Sequence, residues 1–250
     1  MLVVLTVIIV KNLCKTFRIP HAKKKTLYHN LLSLKSGGYE YEQFFALNDI
    51  SFRIEKGEFV GIIGRNGSGK STLLKLMASI YKPTSGSVVL NEEIYPMLEL
   101  GVGFQFDFTV RENIYIYGAL LGFHREEMEM HVGRILAFSE LDRFADAKLE
   151  KLSTGMQMRL GFAIAIQSVA PIMLVDEVLA VGDQLFREKC TETFNRLKAD
   201  GATILLVSHD QAAIQEHCTR VLVMDGGRLV YDGPPSEAMQ YYESQILHAS

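Results

Sequence analysis

The sequence predicts an α/β domain with a mixed sheet core and a helical segment inserted into it. Three observations carry that prediction. Gly64-Arg65-Asn66-Gly67-Ser68-Gly69-Lys70-Ser71 is a complete GxxxxGKS loop between an apolar run, Phe59 to Ile63, and an amphipathic helical segment. Ile172 to Val175 and Thr203 to Val207 are short apolar runs of the kind that form fully buried parallel strands, with a helix, Phe186 to Lys198, between them. From about Thr109 to Ser168 the apolar spacing is helical throughout.

Taken in order, the chain opens on its longest apolar run, Met1 to Val10, broken by Thr6. It has no basic leader and falls short of the roughly 18 residues needed to span a bilayer, so neither a transmembrane nor a cleaved signal segment is expected. Its β-branched residues make Val7 to Val10 a buried strand. A polar, basic stretch, His21 to Phe45, follows with Lys23, Lys24, Lys25 and Gly37-Gly38, and reads as an insertion. Ala46 to Ile54 alternates apolar and polar residues as a half-exposed strand, and Glu55-Lys56-Gly57-Glu58 turns into the strand before the glycine-rich loop.

Thr72 to Ile80 carries Leu73, Leu74, Leu76, Met77 and Ile80 at helical spacing, and Pro83 with Gly86 marks the turn that ends it. After the helical stretch and the two buried strands, Arg220 to Tyr231 reads as a hairpin around Asp225-Gly226-Gly227, before a short C-terminal helix. The expected organisation is one domain, 1–250, with residues 1–105 and 169–250 as core, a basic insertion at 21–45, and a helical subdomain at 106–168.

A chain of 250 residues can bury a large core. Its net charge of −3 leaves no electrostatic footprint for nucleic acid, so no nucleic-acid partner is expected. Cys14, Cys190 and Cys218 are scattered, without a CxxC pair, which argues against a disulfide framework or zinc site and fits a reducing compartment such as the cytoplasm.

The chemistry is concentrated in three places. In the glycine-rich loop, Gly64, Gly67 and Gly69 let the backbone turn around a phosphate chain, and the N–H groups of Arg65, Asn66 and Ser68 line the turn. Lys70 reaches the terminal phosphates, the Ser71 hydroxyl can hold Mg²⁺, and Thr72 carries the loop into its helix. By chance such an octet arises in about one in a hundred chains of this length, so a nucleoside triphosphate is the expected ligand. Second, Asp176-Glu177 ends an apolar strand where α/β sheets present their ligands. Asp176 suits Mg²⁺ through a water, and Glu177 suits polarising an attacking water. The plainer reading is a capped strand entering a turn. Third, Ser153 and the amides of Gly155 and Met156 crown the start of a helical run, Arg159 to Gln167, which makes either an anion site or a simple N-cap.

Together these residues resemble the ATP-binding subunit of ABC transporters, over nearly the whole chain from Val7 to about Tyr242. The resemblance implies a P-loop NTPase fold of the ABC nucleotide-binding type and a homodimer that holds two Mg²⁺·ATP. Each ATP would lie between the phosphate loop of one copy and Ser153 to Gly155 of the other. It further implies that His209 contacts the γ-phosphate, that Glu177, His209 and Lys70 carry hydrolysis, that Gln105 joins Ser71 and Asp176 around Mg²⁺, and that Val178 to Asp183 communicates across the dimer. Phe17 takes the place of the aromatic that stacks on adenine, with Tyr28, Tyr39 and Tyr41 of the insertion as alternatives. Seen alone, His209 is a loop histidine and Phe17 a core aromatic.

Two departures from the family pattern narrow the resemblance. The signature reads LSTGM where LSGGQ is commonest, and only three residues separate Gln105 from Thr109-Val110-Arg111-Glu112-Asn113. With Arg159 to Ala165, Asp176 to Asp183, Lys189-Cys190 and Leu98-Glu99-Leu100-Gly101, they are similar to the subgroup that exports polysaccharides: O-antigen, capsule or teichoic acid. That resemblance implies transmembrane permease subunits as partners, a lipid-linked polysaccharide handled through them, and a peripheral place on the cytoplasmic face of the inner membrane. Some members carry a C-terminal carbohydrate-binding domain, which a chain ending at Ser250 is expected to lack. Lys23 to Lys25 could meet anionic lipid or glycan phosphates, or form a solvated loop. Rival readings are an ABC ATPase for another substrate, a soluble ABC-type ATPase acting on ribosomes or DNA, and a P-loop kinase or GTPase. The last lacks an NKxD motif here, and the signature helix argues against both kinase and GTPase.

Overall fold

The computed structural model describes residues 5–21, 40–98, 100–167, 171–176 and 182–247. Along the chain run β1 (Thr6–His21), β2 (Glu40–Glu55), β3 (Phe59–Gly64), α1 (Lys70–Met77), β4 (Ser85–Leu90) and β5 (Ile94–Met97). They are followed by α2 (Val110–Leu120), α3 (Arg125–Ser139), α4 (Thr154–Ala165), β6 (Ile172–Asp176), α5 (Gln184–Ala199), β7 (Thr203–Val207) and α6 (Gln211–His217). A hairpin, β8 (Arg220–Asp225) and β9 (Arg228–Gly233), precedes α7 (Pro235–Tyr241), which continues as a π-helical turn, Tyr242–Leu247.

Among the described residues the strands form two sheets. The larger has the order β5-β6-β7-β3-β8-β9, parallel except for the β8–β9 hairpin; the smaller, β2-β1-β4, is antiparallel. The parallel strands are buried on both faces, and their period-2 alternation divides two cores. Val60, Ile62, Leu174, Leu205, Val207 and Leu222 face α1 and the small sheet. Phe59, Ile63, Met173, Val175, Ile204 and Val223 face α5 and α7. A third core lies inside α2, α3 and α4, built on Ile114, Val132, Ile135, Leu160 and Ile164. Helices α2 to α4 occupy the stretch from Thr109 onward that the periodicity marks as helical.

Several boundaries differ from the sequence expectation. The first strand runs on through His21, and residues 40–45, expected within the insertion, are strand: Phe45 pairs with Thr16, Phe44 with Phe17 and Glu40 with His21. Residues 41–45 are all exposed, the aromatic ones included, so burial imposes no period there. Helix α1 stops at Met77, and Ile80 is 56% exposed rather than on the helix's buried face. Gly86 belongs to β4, not to a turn. Its φ of 80° meets a break in the β1–β4 register where Asn12 is itself left-handed (φ 44°), and a Cβ on Gly86 would lie 2.2 Å from the Asn12 carbonyl oxygen.

Candidate functional site

Parallel pairing assembles one edge of the large sheet. In register, Val207 of β7 lies between Ile62 of β3 and Asp176 of β6. The chain leaving β3 at Gly64, Asp176, and the Ser208-His209 step after β7 therefore all open at the same carboxyl edge, where such sheets bind ligands.

The glycine loop turns there. Gly64, Gly67 and Gly69 have φ of 155°, 81° and 103°, and the first and last also need their missing side chains. A Cβ on Gly64 would lie 2.1 Å from the Met224 carbonyl oxygen, and one on Gly69 would lie 2.6 Å from that of Ala46. The loop closes by Ser68 N–H to Arg65 O (3.1 Å) and is tied to the β8–β9 turn by Gly227 N–H to Ser68 O (3.1 Å). Lys70 is buried beneath it, with Nζ donating to Gly64 O (2.8 Å) and Arg65 O (3.0 Å). Arg65, Asn66 and Gly67 are exposed, and the buried Ser68 hydroxyl has no hydrogen-bond partner. Helix α1 begins immediately after Gly69 with no acidic residue in its first turn. Left-handed glycines, a buried ammonium and a helix start with no first-turn carboxylate make a cradle that fits a polyphosphate.

The Ser71 hydroxyl, exposed at the start of α1, and the Asp176 carboxylate at the end of β6 are hard oxygen donors of the kind Mg²⁺ prefers. Among the described residues no group of three or more His, Cys, Asp or Glu gathers around a point. This donor set suits a cation that completes its shell with phosphate oxygens and water. Gln105 is exposed, its N–H donates to Asn113 Oδ1 (2.7 Å) and its Nε2 to Gly103 O (3.2 Å). His209 is exposed in the turn before α6. Glu177 and Val178 to Val181 lie outside the described residues, as do Lys23 to Lys25, Tyr28, Tyr39 and Glu99.

Phe17 is half-buried at the root of the β1–β2 ribbon, packed edge-on against Tyr81 at 5.6 Å, with the Lys15 ammonium 5.0 Å from its ring centroid. Tyr41, further out on the ribbon, is 58% exposed. Ser153 caps α4, its Oγ accepting from Met156 N–H at 3.3 Å. Ser153, Thr154 and Gly155 are all exposed, and a Cβ on Gly155 would meet nothing within 4 Å. This helix start is held by the third core through Leu152, Met156 and Leu160.

Asn113, which the sequence reading does not single out, is fully buried and fastens the Gln105 loop. Its Nδ2 donates to Gln105 O (2.8 Å), Thr109 O (2.9 Å) and Phe108 O (3.3 Å). The available signal was Thr109-x-x-Glu112, a capping box that marks the start of α2. The cysteines are free, and burial pushes the Cys190 and Cys218 thiols up to about 12, so neither is a thiolate at neutral pH. No helix among the described residues is long and apolar enough to cross a membrane.

Comparison with known proteins adds four findings. Residues 47–180 match the family described as ABC transporter. The chain is 44% identical over 204 residues to the O-antigen export system ATP-binding protein RfbB of Klebsiella pneumoniae, covering 82% of this chain and 83% of the relative. It is 35% identical over 242 residues to the teichoic acids export ATP-binding protein TagH of Listeria monocytogenes serotype 4b, covering 94% and 71%. Among solved structures, the dimeric post-hydrolysis state of the ATP-binding cassette MJ0796, bound to ADP and Pi, superposes with a TM-score of 0.72 at 25% identity, covering 91% of this chain and 98% of that one.

Proposed function

The chain belongs to the ABC transporter family, and from that membership we propose that it is the ATP-hydrolysing subunit of a polysaccharide exporter. It pairs with a second copy around two ATP and drives a separate transmembrane partner that carries a lipid-linked polymer such as O-antigen, capsule or teichoic acid. The names of its relatives support the polymer class and the export role. The observation that carries the ATPase reading is the cradle itself: left-handed glycines, buried Lys70 and the start of α1 converge at the sheet edge that also holds Asp176.

In this reading Lys70 and the loop amides neutralise the β- and γ-phosphates, and His209 steadies the γ-phosphate. Ser71 and Asp176, with Gln105, would hold Mg²⁺, which spreads the charge that develops on the phosphate oxygens. Glu177 orients and polarises the attacking water. Phe17 stacks on adenine. Ser153 and Gly155 contact the ATP held by the partner copy, which their exposure away from the phosphate loop supports. Residues 1–105 and 169–250 act as the ATP core and 106–168 as the helical subdomain. The subunit sits peripherally on the cytoplasmic face of the membrane with its permease.

The test is Glu177→Gln. The variant is expected to bind ATP and to stay dimeric while turnover falls by about a hundredfold or more; wild-type turnover would remove Glu177 from the mechanism. For the transported polymer, depletion of the protein should make the lipid-linked glycan accumulate inside the cell.

A further inference from the structure

Glu140 stands where three elements meet. It ends α3 in the left-handed region (φ 60°, ψ 35°), a place that glycine or asparagine fills with little strain and a glutamate does not. Its carboxylate is shared between two other helices. Oε2 accepts from Arg159 Nη1 of α4 at 2.9 Å, and Oε1 from Lys189 Nζ of α5 at 2.5 Å. Arg159 is only 19% exposed at its side chain, and its Nη2 lies 3.7 Å from the carboxylate of Asp183. Asp183 in turn caps α5 by accepting from Phe186 N–H at 3.0 Å, and the Arg159 guanidinium lies over the Phe186 ring, 5.6 Å from its centroid. The hydrogen bond from Lys189 holds the Glu140 carboxyl below the usual carboxylate range, so it is ionised at neutral pH.

A residue that only closed a helix would not need a charge, and the strained backbone would favour glycine. The carboxylate is what this position supplies. Arg159 sits in the second turn of the helix capped by Ser153, and Asp183 follows Asp176-Glu177 along the chain. A rigid fork that engages Glu140 and Asp183 together fixes the angle between the two segments, which a lysine at 159 could not do.

We propose that Glu140 is a positioning residue for ATP turnover: by binding Arg159 and Lys189 at once, it sets the Ser153–Gly155 start of α4 relative to the Asp183 end of α5. The inference rests on the reading of that helix start as the contact to the partner copy's ATP.

Glu140→Gly separates this role from helix capping. The variant relieves the left-handed strain, so its melting temperature should hold or rise, and the phosphate loop should bind a fluorescent ATP analogue with unchanged affinity. Its kcat should nevertheless fall about tenfold or more, because misplacement of one helix costs the chemical step. Glu140→Gln should show the same loss and Glu140→Asp should recover part of it. A wild-type kcat in Glu140→Gly overturns the proposal, and if that variant fails to fold, a wild-type kcat in Glu140→Gln does so. Ser153→Arg in the same assay tells the two failures apart. If it too turns over normally, the reading of the α4 start has failed; if it is inactive while the Glu140 variants are not, only the positioning role has.

Discussion

Two buried polar side chains show what single residues do here, and each supports a prediction. The buried Asn113 amide bonds an N–H and three carbonyls of the 105–109 loop. Asn113→Ala orphans the Gln105 N–H, whereas the carbonyls of Gln105, Phe108 and Thr109 keep backbone donors from Phe108, Leu149 and residue 113; we expect a loss of about 1–2 kcal/mol, read as a lower urea midpoint with unchanged slope. A midpoint shift within error would show that the loop finds other partners. His217 is 2% exposed, its ring 6.0 Å from that of Phe59, with Nδ1 buried and unpartnered. Burial lowers its pKa, Lys198 adds to that, and Glu216 and Asp210 oppose it. The folded protein therefore resists a proton that the unfolded chain accepts. The stability this group contributes is complete above about pH 6.5, is lost as pH falls from there toward the lowered folded pKa, and falls no further below it. His217→Phe should flatten the decline in melting temperature between about pH 7 and pH 5. An unchanged decline would assign it to other groups.

At the scale of elements, Arg220 joins the first residue of β8 to three neighbours. It forms a two-pronged pair with Asp232 of β9 at 2.6 and 2.7 Å, donates to Arg53 O of β2 at 3.0 Å, and lies 3.4 Å from Glu58. Asp232 first, and Glu58 after it, push the Arg220 pKa up. Lysine cannot reproduce the planar fork. Arg220→Lys should cost about 1–2 kcal/mol by urea unfolding, and loss of that order without lost nucleotide binding would separate sheet clamping from the site. The elements that were legible beforehand are those whose burial imposes a period: β6 and β7, buried on both faces, α5 between them, and the Gly226-Gly227 hairpin. β4 escaped because most of its residues are exposed, and β5 because it is four residues long and contains Pro96, which an edge strand tolerates. α6 has only Ile214 and His217 buried, and its one signal was Asp210, whose carboxylate caps it through the N–H groups of Ala212 and Ala213. In the site, the phosphate loop could be read directly because its chemistry is local. The Asn113 clamp and the Glu140 fork could not, because their partners are brought together only by folding.

In the molecule as a whole, the two halves of the proposed site lie apart. The phosphate loop opens at the carboxyl edge of the large sheet, while Ser153 to Gly155 stand exposed at the start of α4, whose Leu160 and Ile164 pack with α2 and α3 and whose Phe162 reaches the core under the sheet. One copy thus presents each half once. A two-fold pairing in which loop meets helix start completes both sites at a stroke, because an isologous contact repeats itself. If turnover needs that pairing, the isolated subunit's activity per molecule depends on how often copies meet. Well below the dimerisation constant, specific activity should rise in proportion to protein concentration and then level off as dimers predominate. Ser153→Arg should abolish the rise while leaving ATP affinity at the phosphate loop intact. Light scattering on the same samples supplies the mass. Should specific activity stay flat down to concentrations at which only the monomer is present, a single copy hydrolyses ATP unaided and the shared-site reading fails, whatever the transported polymer.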